Sequence, residues 1–146
     1  MPSPNNQLFT ALRTGFLAFA PLTALVGNRV ARGMARQGES LPLVAMHFLS
    51  EQRQHTHDAP DEGTERTARV QFDCDALTPS AADEAAEQVS EALDSLPLTS
   101  GLGVTFHACI HDDSYAQDFQ SPAATNQAAP AFARQSLTYS ITYKPT

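Results

Sequence analysis

His107, Cys109 and His111 stand at i, i+2 and i+4 of an apolar run, a spacing that sets three side chains on one face of a strand. Two imidazoles at i and i+2 can grip one metal ion, and a thiolate between them is a zinc ligand. The set is incomplete as a site. Zinc needs a third or fourth ligand, and groups that orient them. The nearest acids, Asp112 and Asp113, fall in a segment that reads as a loop. A partly covered sheet face with polar tips is the favoured reading, so no metal is expected. A small metal-dependent hydrolase using His107, Cys109 and His111 is the alternative.

A second cluster, His55, His57 and Asp58, lies in a charged stretch without apolar periodicity. A loop does not preset ligand geometry, so solvated side chains are expected there. Asp61-Glu62 and Asp73/Asp75 are pairs of the kind used in acid–base catalysis. Asp73 and Asp75, however, alternate with apolar residues along a strand, with no nucleophile or base pattern beside them. A solvated or partner-facing surface is expected instead. The sequence holds no phosphate loop, dinucleotide glycine fingerprint, nucleophile elbow or zinc ribbon. No catalytic residue and no cofactor are expected.

The 146 residues are enough for one domain with a real core, taken here as 1–146 with extended loops at 51–66 and 112–132. The net charge of −7 argues against a protein whose main task is gripping duplex phosphates. Two cysteines, Cys74 and Cys109, are too few for a disulfide scaffold and read as buried thiols. A disulfide between them requires neighbouring strands with close Cα atoms. The apolar run Gly15 to Val26 is interrupted by Pro21 and too short for a bilayer, which needs about 20 residues. It reads as core helix.

The elements follow from periodicity. Leu8, Leu12, Phe16 and Phe19 predict a helix from Gln7 to Phe19, capped by Asn5 or Asn6. Pro21 opens a short second helix, Leu22 to Val26, that Gly27 stops. Leu43 to Ser50 reads as a strand, and Thr67 to Ala76 as a clearer one, with Ala68, Val70, Phe72, Cys74 and Ala76 inward. Thr78 or Ser80 caps a helix over 80–96, with Asp83, Glu84 and Glu87 near its positive end and an Ala/Val/Leu stripe beneath. Val104 to His111 is a strand with Val104, Phe106, Ala108 and Ile110 on one face. Gln135 to Tyr143 is the last strand. The predicted fold is α+β, two main helices on one face of a four-stranded, mainly antiparallel sheet. Arg29, Arg32 and Arg36 cluster in the link before the first strand and suit acids on a neighbouring subunit better than phosphate.

The order of these pieces resembles the tail-completion, or tail-terminator, proteins of long-tailed phages and gene transfer agents. Leu22, Leu25, Val26, Gly27, Arg29 and Val30, followed by Leu41, Pro42 and Val44, resemble that family's opening segment. Arg69 to Cys74, RVQFDC, resembles its central strand. Ala76 to Leu93 resembles its second helix, and Arg134 to Tyr143 its closing strand. The segment 112–132 is longer than the family pattern. The resemblance implies a structural virion protein, assembled in the host cytoplasm. It implies a ring, often of six copies, at the head-proximal end of the tail tube. The ring would stop tube polymerisation and join the tail to a head connector or neck protein, with DNA passing through its lumen without specific binding and no membrane involved. A non-virion assembly adaptor is a further alternative. Long loops on a rigid sheet concentrate binding residues, so partner contacts are expected at Arg53, His55, His57 and Asp58. Arg69 and Asp73 on the polar strand face, and Tyr115 and Phe119 as apolar anchors, complete the expected surface.

Overall fold

The computed structural model describes residues 3–33, 41–53, 65–99, 101–120 and 131–145. Helix α1 (Pro4–Ala18) is followed by α2 (Ala20–Val26). Ser3, rather than Asn5 or Asn6, caps α1. Its hydroxyl accepts the Asn6 amide at 3.2 Å, and Pro4 occupies the first turn, where no amide donor is missed. Leu8, Leu12 and Phe16 are buried along one face, as their spacing requires. Pro21 lies in the first turn of α2, and Gly27 ends it at a φ of 60°, a conformation that favours glycine. The apolar run 15–26 is thus divided between two helices bent by 91°; among the described residues no single helix is long and apolar enough to cross a membrane.

Five strands form the sheet, not four: β1 (Val30–Arg32), β2 (Leu43–Arg53), β3 (Arg66–Ala76), β4 (Val104–Gln120) and β5 (Ala131–Pro145). Their order is β1-β2-β3-β5-β4. β1 pairs parallel with β2, Val30 opposite Val44 and Arg32 opposite Met46; the other pairings are antiparallel. A three-residue strand carries no readable period. β1 exists because its neighbour supplies partners: Val44 N–H donates to Arg29 O and Gly33 N–H to Met46 O.

The third helix, α3 (Pro79–Ser95), is capped by Thr78, whose hydroxyl accepts the Ala81 amide at 3.1 Å. Its first turn holds no acid, so Asp83, Glu84 and Glu87 lie beyond the reach of the strongest dipole effect. A 3₁₀ turn containing Pro97, Leu96–Leu98, closes it. The stripe Ala85, Val89, Ala92 and Leu93 packs into one core with Phe16, Phe72, Tyr139 and Ile141. Phe72 is central, with rings of Phe16 and Tyr139 edge-on at 5.5 and 6.1 Å. Gly15 lets α1 approach closely, since an added Cβ would lie 2.5 Å from a Leu96 methyl.

The expected loops are shorter than the sequence suggested. Residues 51–53 and 66 belong to β2 and β3, and 112–120 and 131–132 belong to a long β4–β5 hairpin. Residues 54–64 and 121–130 lie outside the described residues. The hairpin escaped detection because β4 is an edge strand rich in Asp, Ala and Gln, held mainly by its ladder to β5.

Cys74 is fully buried and Cys109 packs against the core. Both are free, and β5 separates their strands. Burial, with the charge of Asp94 adding, pushes the Cys109 thiol up to about 12. Burial and the flanking Asp73 and Asp75 charges raise Cys74 further. A thiol that stays protonated when folded supports folding fully below its unfolded pKa and loses that support as pH rises toward the folded value. The melting temperature is therefore expected to fall from about pH 8.5 upward. A Cys74→Ala/Cys109→Ala variant should show a shallower decline up to about pH 10. Equal slopes for both proteins in calorimetry would refute this.

Candidate assembly interface

The strand that carries the His-Cys-His triplet is bulged twice. Phe106 faces Tyr143 and Ala108 faces Thr142, leaving His107 as the extra residue; Asp112 is the extra residue of a second register shift between His111 and Asp113. The first bulge exchanges the faces of the residues from Ala108 to His111, and the second restores the original alternation. Cys109 stands opposite Ile141, on the side of the core. His111 stands opposite Tyr139 and packs on its ring at 5.3 Å. His107 remains at the bulge, its Nε2 3.7 Å from Glu65 Oε2. The triplet therefore does not share a face. Ile110, expected to share a face with Val104 and Phe106, is instead 58% exposed while those two are buried. Among the described residues no group of three or more His, Cys, Asp or Glu is placed to hold a metal ion.

Asp73 and Asp75 also depart from expectation. They point away from the helices, yet they are only 3% and 4% exposed. β3 is the middle strand, so neighbours on both sides close over its short polar side chains. Asp73 Oδ1 accepts from Ser136 Oγ at 2.7 Å and from Gln71 Nε2 at 2.8 Å, and its Oδ2 lies 3.1 Å from His47 Nε2. Arg134 grips Asp75 through two parallel bonds of 2.7 and 3.1 Å and reaches to 3.8 Å from Asp73. The bonds to Asp75 raise the Arg134 pKa further above its ordinary value. This is a packed ionic network of the chain itself, not a solvated face. At the other end of the sheet Glu51 accepts Tyr143 OH at 2.7 Å and Arg66 at 3.1 Å. Burial, then the bond to Glu51, raises the Tyr143 phenol pKa.

The remaining expected contact residues scatter. Arg53 ends β2, exposed and 3.6 Å from Glu51. Arg69 is exposed on β3 with Asp112 at 3.6 Å. Tyr115 is 41% exposed on β4, opposite Ser136. The Phe119 backbone pairs with Phe132, and its side chain is outside those described. His55, His57, Asp58 and Arg36 lie outside the described residues. Tyr115 and Ile110 share the sheet face that carries no helices, since their partners Ser136 and Ser140 lie on that face of β5. Reading the strand by simple alternation missed Ile110, because nothing in the residue types marks the bulge at His107.

The sheet thus carries helices on one face only and ends in a long exposed edge strand. The same fold occurs in a chain from a solved structure titled "Virion of native gene transfer agent (GTA) particle", with a TM-score of 0.67, 18% identity and 99% of each chain covered. No curated protein matches the chain by sequence. The family described as "Tail completion protein gp17" matches residues 10–143, and the chain belongs to that family. It is a structural protein of a virion tail.

Proposed function

We propose that this chain closes into a six-membered ring at the head-proximal end of the tail tube, stops tube polymerisation there and joins the tail to a head connector. The observation that carries the reading is the family match over nearly the whole domain. A sheet whose two edge strands, β1 and β4, each lack an outer neighbour among the described residues supports it, because unpaired edges need cover. A heterologous contact repeated by rotation closes a ring and leaves no subunit with a free edge. The mechanism is selective binding: one ring face matches the last tube layer and the other does not accept more tube protein. DNA passes through the lumen without specific contacts, in keeping with a net charge of −7.

Catalysis has no part in this reading, and the hydrolase alternative loses its best motif with the divided triplet. The adaptor alternative is separated by composition of the particle. Purified particles should contain the chain in multiple copies at the tail axis. Particle-producing cells lacking it should accumulate filled heads beside unjoined tails with overlong tubes. Normal particles from such cells would overturn the proposal.

Partner contact is assigned to the helix-free sheet face at Ile110 and Tyr115, where Arg69 shares their side of the sheet through Ser140; Arg53, opposite Arg66, lies on the other side. Ile110→Ser/Tyr115→Ser should change stability by only about 0.5 kcal/mol per site, as exposed substitutions do. The yield of joined particles should nevertheless fall. Unchanged yield with wild-type melting would remove this assignment.

A further inference from the structure

The two sheet edges carry opposite charge. Beside β1, a groove of about 240 Å³ is lined by Asn6, Phe9, Thr10, Arg13, Arg32 and Met46. Arg13 Nε donates to Val30 O at 2.9 Å. Arg32 donates to Asn6 Oδ1 at 2.9 Å and lies 4.3 Å over the Phe9 ring. Arg29, on the same edge, donates to Pro42 O at 2.8 Å. All three guanidiniums are fixed by neutral acceptors, and none pairs with a carboxylate among the described residues. On the opposite edge, a groove of about 470 Å³ runs between α3 and β4, lined by Asp83, Glu87 and Ser90 of α3, His111 and Ser114 of β4, and Gln135. Asp83 and Glu87 are exposed and without a basic partner among the described residues.

We propose that the occupant of each groove is a second copy of this chain: the Arg13/Arg32 edge of one subunit docks on the Asp83/Glu87 groove of the next. The proposal rests on the ring reading and specifies its contact. The strand order puts the two surfaces on opposite sides of the subunit, as a head-to-tail ring requires. Arginines already held in place lose little freedom on docking, and their planar forks suit carboxylates. Complementary potentials also reject the wrong register, in which like charges would meet.

The test uses particle-producing cells that lack the gene, supplied with variants of the full chain. Arg13→Glu/Arg32→Glu and Asp83→Arg/Glu87→Arg should each lower the yield of joined particles by about 100-fold, because like charges then face across the contact. Combining all four substitutions restores opposite charges across the contact and should recover most of the yield. Thr10→Cys/Ser114→Cys subunits, treated in particles with a short bismaleimide, should give a ladder of linked multimers that neither single variant gives. Wild-type yields from both charge reversals, or no recovery in the combination while all variants melt like the parent, would overturn the contact. A multi-copy ring without the ladder would overturn it while sparing the ring. A single copy per particle would remove the ring itself. Duplex DNA bound by the purified chain and released by Arg13→Glu/Arg32→Glu, with no rescue by the combination, would make the basic groove a DNA site and overturn the proposal.

Discussion

Val89→Asp is expected to leave the chain unfolded at 25 °C. Val89 is fully buried in the stripe that α3 lays on the sheet, within the cluster that holds Phe72 and Tyr139. A carboxylate placed there has no partner, and burying an unpaired polar or charged group costs several kcal/mol or more. The lost valine contacts add about 1–2 kcal/mol. A domain of this size is stable by only about 5–15 kcal/mol, so the sum consumes most or all of it. Far-ultraviolet circular dichroism and a thermal scan of the purified variant measure the effect. A cooperative melt within a few degrees of the parent would show that α3 does not pack by this face. Val89→Ala is the milder companion. It should keep the fold and lose about 1–3 kcal/mol through the cavity it leaves.

Arg134→Ala should cost about 3 kcal/mol, the lower end of the loss expected when one partner of a buried ion pair is removed, because the Arg134 side chain is partly exposed. Asp75 would lose both of its bonds to the guanidinium, and Asp73 its nearest full positive charge. His47, Ser136 and Gln71 still contact Asp73, so the damage should centre on Asp75. A triple variant, Arg134→Met/Asp73→Asn/Asp75→Asn, removes the charges together and should recover much of the loss, since the penalty lies in the uncompensated carboxylates. Denaturant titrations of the three proteins measure both steps. If Arg134→Ala melts like the parent, the network is ornamental. If the triple variant is no better than the single, the side chains matter by shape rather than charge.

The two sites differ in how they are encoded. The α3 stripe was legible as sequence: Ala82, Ala85, Ala86, Val89, Ala92 and Leu93 recur at helical spacing, and the structure buries each of them. Helical periodicity is local, and a cap such as Thr78 is written into the residues beside it. The inward set of β3 was legible for the same reason, since alternation on a regular strand needs no knowledge of neighbours. The Arg134 network was not legible. It joins Asp73, Asp75, Ser136, Arg134 and His47 from three strands, and residues nearly sixty positions apart meet only through the β3–β5 register.

The sequence by itself determined the α+β class, the buried faces of α1, α3 and β3, and the family resemblance that the match over residues 10–143 bears out. Each of these rests on the order and spacing of residue types along the chain. The tertiary structure alone decided which polar residues are dry, where β1 pairs, and which face β4 presents after its bulge. A bulge at His107 reverses the side chains from Ala108 to His111, until a second bulge at Asp112 restores the phase, and it separates His107 from Cys109 and His111. The middle place of β3 buries two aspartates that alternation marked as wet. Both outcomes depend on strand neighbours, and neighbours are fixed by long-range pairing that no local pattern records.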